Sequence, residues 1–427
     1  MDTVSKTLIE SHWDGKYEVY EIKQFIDERG MVCETFRLDD DLLKDSKMCY
    51  ISETEPFVMR GPHEHLSQTD FFVNWKTQMV YQMYNNDTSE MKYFITEPDK
   101  IYLIKVAPPI IHSYRNIDLS LSRTLNYPTS FFMGENKQEK IDEIRHEPHI
   151  EDKKVVVLFG AKGRLGSAMV EESYKLMGYH DFLLIPLYQT CNNKEEVDEL
   201  FISISKQLEQ KEVIFINCAG KTNVQDLKHT DELWWSNCDL PLVFAKWCEL
   251  LQWKFIQFSS DYIFQNPEKY GVNVSTYTKS KQQMEDNLKG YEVLILRVAN
   301  LFSTKQSDIH NIIYKMWLKV KMNQVIKIDP QIRIFPTDVN ILAREVISRY
   351  IKDNLSISGT THINIVSKKY SLKKFLRDYF NYDKIQEKTA IMNKWYEKFE
   401  KDSIIELPKS DKAIKSIINN LKENYHG

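Results

Sequence analysis

The sequence predicts a multidomain protein, with an all-β domain followed by an α/β domain built on a doubly wound parallel sheet. Residues 17–146 carry short alternating apolar runs separated by turn residues, which is typical of a β-barrel or β-sandwich. From Lys154 onward, apolar strands alternate with helical stretches, which indicates βαβ units. The polar segment 146–154, HEPHIEDKK, is typical of a linker. We therefore place the two domains at residues 1–149 and 154–427.

Each domain shows its own type of segment. The predicted strands of the first domain lie in YEVYEIKQF, MVCETFRL, KMCYIS, FFVNW, QMVYQMY, KYFIT, KIYLIKVAP and SRTLNYP. The second domain carries the strands VVVLFG, FLLIPL, VIFINC, KFIQFSS and VLILRV, with helices predicted in KEEVDELFISISKQLEQ and at the carboxy terminus.

The composition is that of an ordinary globular protein. The chain has 427 residues and a net charge of −4, which argues against a nucleic-acid or membrane-surface protein. No apolar run approaches the roughly 18 residues of a membrane-spanning helix, and the start lacks a signal-peptide pattern. The six cysteines form no CxxC pair, which favours free thiols. We expect a cytoplasmic protein.

A histidine-rich segment stands out in the first domain. Arg60-Gly61-Pro62-His63 is followed by His65 and, after Pro108-Pro109, by His112. Together with DERG at 27–30, this pattern resembles the cupin-type dTDP-4-dehydrorhamnose 3,5-epimerases over residues 17–147. The resemblance implies a jelly roll in which His63 removes a proton beside the ketone, Arg60 holds the diphosphate and His112 contacts the sugar.

The first domain also departs from that family. The family's active-site lysine aligns with Asp70, and its acidic tyrosine aligns with the pair Phe131-Phe132. Tyr127 is the nearby phenol, and Asp142 is a candidate for the carboxylate that orients the base. We therefore predict a 3-epimerase with a different proton return, or one in which Tyr127 is the acid and binds substrate.

Two alternatives stay open for this domain. His63, His65, Asp70 and His112 match the ligand pattern of metal-binding cupins. A cupin that only dimerises or binds a sugar nucleotide is the other alternative. Our prediction is a site without a metal.

The second domain opens with a glycine loop. Val155–Phe159 leads directly into Gly160-Ala-Lys-Gly-Arg-Leu-Gly166, and glycines at such a turn let a pyrophosphate approach the start of a helix. The predicted cofactor-binding residues here are Gly160, Lys162, Gly163, Arg164, Leu165 and Gly166.

Further along lie residues suited to ketone reduction. Tyr277 and Lys281 are four positions apart and share a helix face, and Ser260 ends an upstream strand. The phenol can protonate the developing alkoxide, the ammonium lowers the phenol pKa and binds the cofactor ribose, and the hydroxyl bonds the carbonyl oxygen.

The order of these motifs resembles dTDP-4-dehydrorhamnose reductase, an extended short-chain dehydrogenase with a Rossmann-type sheet, over residues 154–380. VIFINCAGKTNV, FSSDYIF, LRVANLF and DPQIRIFPTDVNILA carry the resemblance. It implies that Ala219 and Gly220, together with Asn217 and Asn237, serve the cofactor site, and that Arg297 and Thr337 lie near the sugar nucleotide.

Cofactor choice follows from charge. An NAD-preferring unit carries an acidic residue after the second strand, but FLLIPLYQT ends without one. Lys162 and Arg164 offer positive charge to a 2′-phosphate. We predict NADPH, with NADH as the alternative.

Together these features predict a bifunctional enzyme, most simply a homodimer. It would epimerise C3, or C3 and C5, of a UDP- or dTDP-linked 4-keto-6-deoxyhexose and reduce the 4-ketone, giving an activated L-rhamnose-type sugar or its 2-acetamido analogue. The second domain also resembles the regulatory beta subunit of methionine adenosyltransferase. A dinucleotide-binding partner protein is therefore the alternative function.

Overall fold

A computed structural model describes most of the chain. The described residues are 6–132, 142–146, 154–176, 182–221, 230–265, 274–304, 311–330, 333–352, 356–387, 396–401 and 404–424. The chain divides into two compact units, Met1–Ile150 (the first unit) and Glu151–Gly427 (the second unit). Most of the predicted linker lies outside the described residues.

The first unit is built from antiparallel strands. Its strands are β1 Lys6–His12, β2 Tyr17–Ile22, β3 Phe25–Asp27, β4 Gly30–Val32, β5 Tyr50–Thr54, β6 Met59–Glu64, β7 Asp70–Asn74, β8 Met79–Asn85, β9 Glu90–Ile95, β10 Ile101–Val106, β11 Ile111–Asn116, β12 Ser122–Asn126 and β13 Ile144–Arg145. One sheet has the order β1-β2-β10-β7-β12-β5 and another the order β13-β6-β11-β8-β9. A buried cluster that includes Tyr17, Phe72, Met83 and Tyr114 draws on strands of both sheets.

One predicted strand is shorter than expected. The run MVCETFRL at 31–38 contributes only Gly30–Val32, which pairs with β3. Beyond Val32, Arg37 pairs with Glu34 and Asp39, and these side chains are well exposed. Charged side chains of this kind are stabilised by water and not by burial in a sheet. The strand therefore ends before them.

The second unit alternates strands and helices. Its strands are β14 Lys154–Phe159, β15 Leu183–Leu187, β16 Glu212–Asn217, β17 Lys254–Ser260, β18 Val293–Val298, β19 Leu301–Phe302, β20 Ile326–Ile328, β21 Arg333–Ile334, β22 Thr337–Asp338, β23 Thr360–Val366, β24 Tyr370–Ser371, β25 Ile385–Glu387 and β26 Ile404–Glu406. Its α-helices are α1 Arg164–Leu176, α2 Lys194–Gln207, α3 Thr230–Trp234, α4 Leu240–Leu251, α5 Thr276–Asn287, α6 Ile312–Lys321, α7 Val339–Val346, α8 Leu372–Phe380, α9 Tyr396–Phe399 and α10 Asp411–Asn424. Short π-helical segments follow α3 and α7, at Trp235–Asp239 and Ile347–Lys352, and a 3-10 turn follows β17 at Asp261–Phe264.

A seven-stranded parallel sheet organises this unit, in the order β15-β14-β16-β17-β18-β23-β26. The strand order reverses between β14 and β16, because β15 lies on one side of β14 and the later strands lie on the other. In open parallel sheets, ligands bind beyond the carboxyl ends of the strands at such a switch point. The glycine loop follows β14 and Cys218-Ala219-Gly220 follows β16, so both predicted motifs lie at this point.

The predicted fold class is confirmed: a β-rich antiparallel part precedes a parallel α/β sheet. Among the described residues, no helix is long and apolar enough to cross a membrane.

Candidate functional site

The turn after β14 needs glycine for steric reasons. Gly160 has φ +79°, and a Cβ there would lie 2.6 Å from the backbone nitrogen of Ala219. A Cβ on Gly166 would lie 2.1 Å from the carbonyl oxygen of Gly160, whereas one on Gly163 would meet that oxygen at 3.3 Å. The two outer glycines therefore let the loop fold tightly against α1 and β16, which leaves the start of α1 facing the switch point.

Among the other loop residues, Lys162 is exposed and Leu165 is buried. Arg164 donates from Nη1 to the carbonyl oxygen of Leu301 at 3.1 Å, so part of its guanidinium is engaged within the fold.

Two asparagines hold the segment that follows β16, across the switch point from the glycine loop. Asn217 Oδ1 accepts from the backbone nitrogen of Ala219 at 2.9 Å. Asn237 bonds both backbone groups of Lys221, and its Oδ1 lies 3.2 Å from where a Cβ on Gly220 would stand. The same Cβ would be 3.6 Å from Lys281 Nζ, so Gly220 keeps space beside the lysine.

Ser260, Tyr277 and Lys281 come from the end of β17 and from α5. Ser260 Oγ donates to Asp261 at 3.0 Å, and the buried Lys281 Nζ donates to the Phe258 carbonyl at 3.3 Å. Burial raises the pKa of Tyr277 to about 12, although a hydrogen bond with Ser260 lowers it in part. Burial lowers the pKa of Lys281 to about 8. The two shifts favour a neutral phenol beside an amine that titrates near neutral pH.

Two predicted sugar contacts are engaged elsewhere. Arg297 donates from Nε and Nη2 to the carboxylate of Glu285, at 2.6 Å for the shortest bond, and its guanidinium lies over the ring of Phe264. Thr337 is fully buried and donates to the Phe335 carbonyl. Arg297 therefore links β18 to α5 through Glu285, and its contact with a sugar nucleotide stays a prediction.

The first unit contains a cavity of about 840 Å³. Both sheets contribute to it: Tyr50 comes from β5 and Phe72 from β7, while His63 comes from β6 and Tyr114 from β11. The other lining residues are Met48, Ser52, Met59, Arg60, Gly61, Pro62, His65, Ser67, Gln68, Pro128, Ser130, Phe131, Phe132, Asp142, Glu143, Arg145 and His146.

His63 and His112 face each other across paired strands, with ring centroids 4.4 Å apart. Burial, together with the charges of His112 and His65, lowers the pKa of His63 to about 3. The ring is therefore neutral at physiological pH.

Asp70 is the centre of a buried polar network beside this cavity, which it shares with the lining residues His65 and Gln68. Its Oδ2 lies 3.0 Å from His65 Nε2 and 3.3 Å from His112 Nε2. Its Oδ1 accepts from Gln68 at 2.9 Å and from Asn126 at 2.8 Å. Burial raises the pKa of this carboxyl, but the two histidines outweigh burial and hold it below its usual range. Burial lowers the pKa of His65, but the hydrogen bond to Asp70 leaves it raised overall.

Asp142 does not orient His63. Its carboxylate accepts from the backbone nitrogens of Leu66, Ser67 and Gln68, at 2.8–2.9 Å, and its backbone carbonyl bonds His65 Nδ1. The candidate role given to Asp142 is corrected, since Asp70 is the carboxylate beside the histidine rings.

Tyr127 does not reach the cavity. Its hydroxyl lies 2.7 Å from Thr35 Oγ1, its ring stacks on Phe36, and it packs with Leu43 and Leu103 on the side of the sheet away from Asn126. Tyr127 is therefore not among the residues that line the cavity, which does not favour it as the acid or as a substrate contact.

The cavity holds two other phenols that sequence reasoning missed. Tyr50 Oη accepts from Asn126 at 2.8 Å, and Tyr114 Oη lies 2.8 Å from Ser52 Oγ. Burial raises the pKa of Tyr50 to about 12, with Asn126 opposing the shift. The Tyr50 oxygen accepts a hydrogen bond from Asn126. The hydroxyl proton of Tyr50 therefore points in another direction.

Arg60 also lines the cavity, where it bonds Thr54 Oγ1 at 3.1 Å and the Glu53 carbonyl. Among the residues that the structure describes, one group could hold a metal ion: His63, His65, Asp70 and His112, whose ligand atoms all lie within 4.8 Å of one another.

Comparison with known proteins finds a family model that matches the second unit and solved structures that are similar to parts of the chain. Residues 154–400 match the family model described as RmlD substrate binding domain. No curated protein matches this chain. Among solved structures, a dTDP-4-dehydrorhamnose reductase from Clostridium acetobutylicum is 21% identical over 63% of this chain and 99% of its own, with a TM-score of 0.45.

A dTDP-4-dehydrorhamnose reductase from Bacillus anthracis in complex with NADP is 19% identical over 63% of this chain and 98% of its own, with a TM-score of 0.46. A dTDP-4-dehydrorhamnose 3,5-epimerase from Sulfolobus tokodaii is 17% identical over 29% of this chain and 75% of its own, with a TM-score of 0.26. These values describe a distant resemblance of architecture.

Proposed function

The chain belongs to the RmlD substrate binding domain family through residues 154–400, and on that basis we propose that its second unit reduces the ketone of a sugar nucleotide with a nicotinamide dinucleotide. The observation that carries this proposal is that Ser260, Tyr277 and Lys281 stand at the same carboxyl edge of the sheet as the glycine loop. A Cβ at Gly160 or Gly166 would fill that loop, so the residues present fit a pyrophosphate.

When bound, the cofactor supplies the hydride that reduces the ketone. The protein supplies the proton from Tyr277, whose raised pKa keeps the phenol neutral until the alkoxide develops. Lys281 lies beside Gly220 and lowers the cost of the phenolate through its charge, while Ser260 donates to the carbonyl oxygen. We favour NADPH because β15 ends without a carboxylate and Lys162 is exposed in the loop.

For the first unit we propose epimerisation at C3, or at C3 and C5, of the same 4-keto sugar. His63 is neutral and lines the cavity from one sheet, while Tyr50 lines it from the other sheet. A base and an acid on opposite walls suit inversion of a carbon acid, because the proton leaves one face and returns to the other. Arg60 lines the same cavity and would hold the diphosphate, and Tyr50 takes the acid role first predicted for Tyr127.

The substrate would be a UDP- or dTDP-linked 4-keto-6-deoxyhexose, and the product an L-rhamnose-type nucleotide or its 2-acetamido analogue. We expect a homodimer, which light scattering after size-exclusion chromatography tests.

The decisive experiment follows NADPH oxidation in deuterium oxide with enzymatically generated UDP- and dTDP-4-keto-6-deoxyglucose, and reads the product by NMR. The wild type should consume NADPH and place deuterium at C3, or at C3 and C5. Tyr277→Phe should lower the reduction rate by about 10²–10⁴-fold, with Tyr291→Phe as the matched control. His63→Ala should abolish the exchange, with His12→Gln as its control.

Failure of the wild type to oxidise NADPH with either substrate would contradict the reductase and favour a dinucleotide-binding partner protein. Reduction with no deuterium in the product would contradict the epimerase alone.

A further inference from the structure

Three buried side chains of the first unit, of which His65 lines the cavity, bring possible ligand atoms close together. Asp70 Oδ2 lies 3.0 Å from His65 Nε2 and 3.3 Å from His112 Nε2. All three residues are at least nine-tenths buried. Around a tetrahedral metal ion with bonds of 2.0–2.1 Å, neighbouring ligand atoms lie about 3.3 Å apart. The observed spacing is therefore that of adjacent metal ligands.

The other nitrogen of each imidazole fixes the tautomer. His112 Nδ1 lies 3.0 Å from the Ile110 carbonyl, and His65 Nδ1 bonds the Asp142 carbonyl. A carbonyl oxygen can only accept, so both Nδ1 atoms carry the proton. In the neutral rings, both Nε2 atoms then direct a lone pair toward the carboxylate of Asp70.

A nitrogen lone pair that faces a carboxylate is repelled by it unless a proton or a metal ion lies between the two. His65 Nε2 has two polar partners in range, Asp70 Oδ2 at 3.0 Å and Gln68 Nε2 at 3.2 Å. His112 Nε2 differs: it is buried, and it makes no hydrogen bond within the part of the chain that the structure describes, despite its 3.3 Å approach to Asp70. A nitrogen in this position is one that a metal ion would satisfy.

The surroundings also resemble a metal site. Metal-binding histidines commonly donate their second N–H to a backbone carbonyl, and metal-binding carboxylates are held by further hydrogen bonds. Here the carbonyls of Ile110 and Asp142 hold the rings, and Gln68 and Asn126 hold Asp70 Oδ1.

We propose that His65, Asp70 and His112 bind a divalent first-row transition metal ion, with His63 beside it. Imidazole and carboxylate ligands suit Zn²⁺, Fe²⁺ or Mn²⁺, and three protein ligands leave a position open toward the cavity. This inference reverses the metal-free site that the sequence favours.

A metal ion at this position would supply positive charge where a proton is removed beside a ketone. Only this catalytic role rests on the proposed epimerase; metal binding itself does not.

The test uses the full chain. Purified protein is dialysed against a chelator and titrated with Zn²⁺ and Co²⁺, while metal content, thermal unfolding and the visible spectrum of Co²⁺ are recorded. We expect one metal ion per chain, a rise in the Tm of the first unit of about 5 °C on loading, and Co²⁺ bands typical of nitrogen and oxygen ligands. Absence of stoichiometric binding by the wild type would overturn the proposal.

Asp70→Asn and His112→Gln should each weaken binding by at least about 10-fold, while His12→Gln, in the same unit but outside the cavity, should bind as the wild type does. Circular dichroism shows whether the variants fold. If one does not, the Co²⁺ spectrum of the wild type decides between histidine ligands and adventitious surface binding. Unchanged affinity in both folded variants would also overturn the site.

The two proposals fail separately. Deuterium exchange by a chain that binds no metal would support the proposed epimerase and contradict the proposed metal site. Stoichiometric metal binding without deuterium exchange would support the proposed metal site and contradict the proposed epimerase.

Discussion

At the scale of single residues, Lys281 leads us to predict that the proposed reduction depends on pH. Burial lowers its pKa to about 8, while that of Tyr277 is raised to about 12. As the pH rises through about 8, the lysine therefore loses its charge before the phenol loses its proton. We expect kcat for reduction to fall above this pH, by up to about tenfold per unit, because the phenolate formed in the reaction loses its neighbouring cation.

Lys281→Arg is the matched variant, since a guanidinium stays charged throughout this range. Its rate should be lower, and its alkaline decline should move to higher pH. Profiles of kcat from pH 6 to 10 measure both effects. An unchanged midpoint in the variant would mean that another group causes the decline.

Tyr50 gives a second prediction at this scale. Its raised pKa keeps it a proton donor, and Asn126 holds its oxygen at the cavity wall opposite His63. Tyr50→Phe should lower the rate of C3 epimerisation by about 10²-fold or more and leave reduction of a pre-epimerised substrate unchanged. Tyr127→Phe is the control, because that hydroxyl bonds Thr35 outside the cavity. Equal losses of the epimerisation rate in both variants would show that the effect is not specific to the Tyr50 hydroxyl. Product NMR measures the two rates.

At the scale of elements, the glycine loop depends on how closely α1 approaches β14. Gly166→Ala would place a Cβ 2.1 Å from the Gly160 carbonyl, whereas Gly163→Ala would meet the same oxygen at 3.3 Å. The first change must move backbone and should weaken NADPH binding by more than about tenfold, and the second should have a small effect. Isothermal titration measures the dissociation constants. Equal affinity in the two variants would contradict a role for this close approach.

Elements also explain what the sequence could predict. The loop at 160–166 and the pair Tyr277 and Lys281 follow local rules of strand, turn and helix spacing, so the sequence places them in order along the chain. The position of Tyr50, the acid proposed for the first unit, cannot be predicted from the spacing of residues along the chain. Successive residues of a strand point to opposite faces, so Asn126 bonds Asp70 while the next residue, Tyr127, points away. Tyr50 reaches the cavity only through the pairing of β5 with β12, which no short motif encodes.

At the scale of the whole molecule, each unit has its own core. Tyr17, Phe72 and Met83 belong to a cluster within the first unit, and Phe302 and Phe375 to one within the second. Each unit also holds its own complete set of candidate catalytic side chains. Under the proposed function, neither reaction therefore requires residues from both units of one chain.

This independence predicts complementation. His63→Ala alone and Tyr277→Phe alone should each form little final product. An equimolar mixture of the two full-length variants should form it at about half the wild-type rate per chain, since each chain supplies one working site and the ketone diffuses between them. NMR of the product over time measures this. Mixing a variant with itself at the same total concentration is the control. A mixture no more active than either variant would mean that the intermediate does not pass between chains, and that the two reactions are coupled within one molecule.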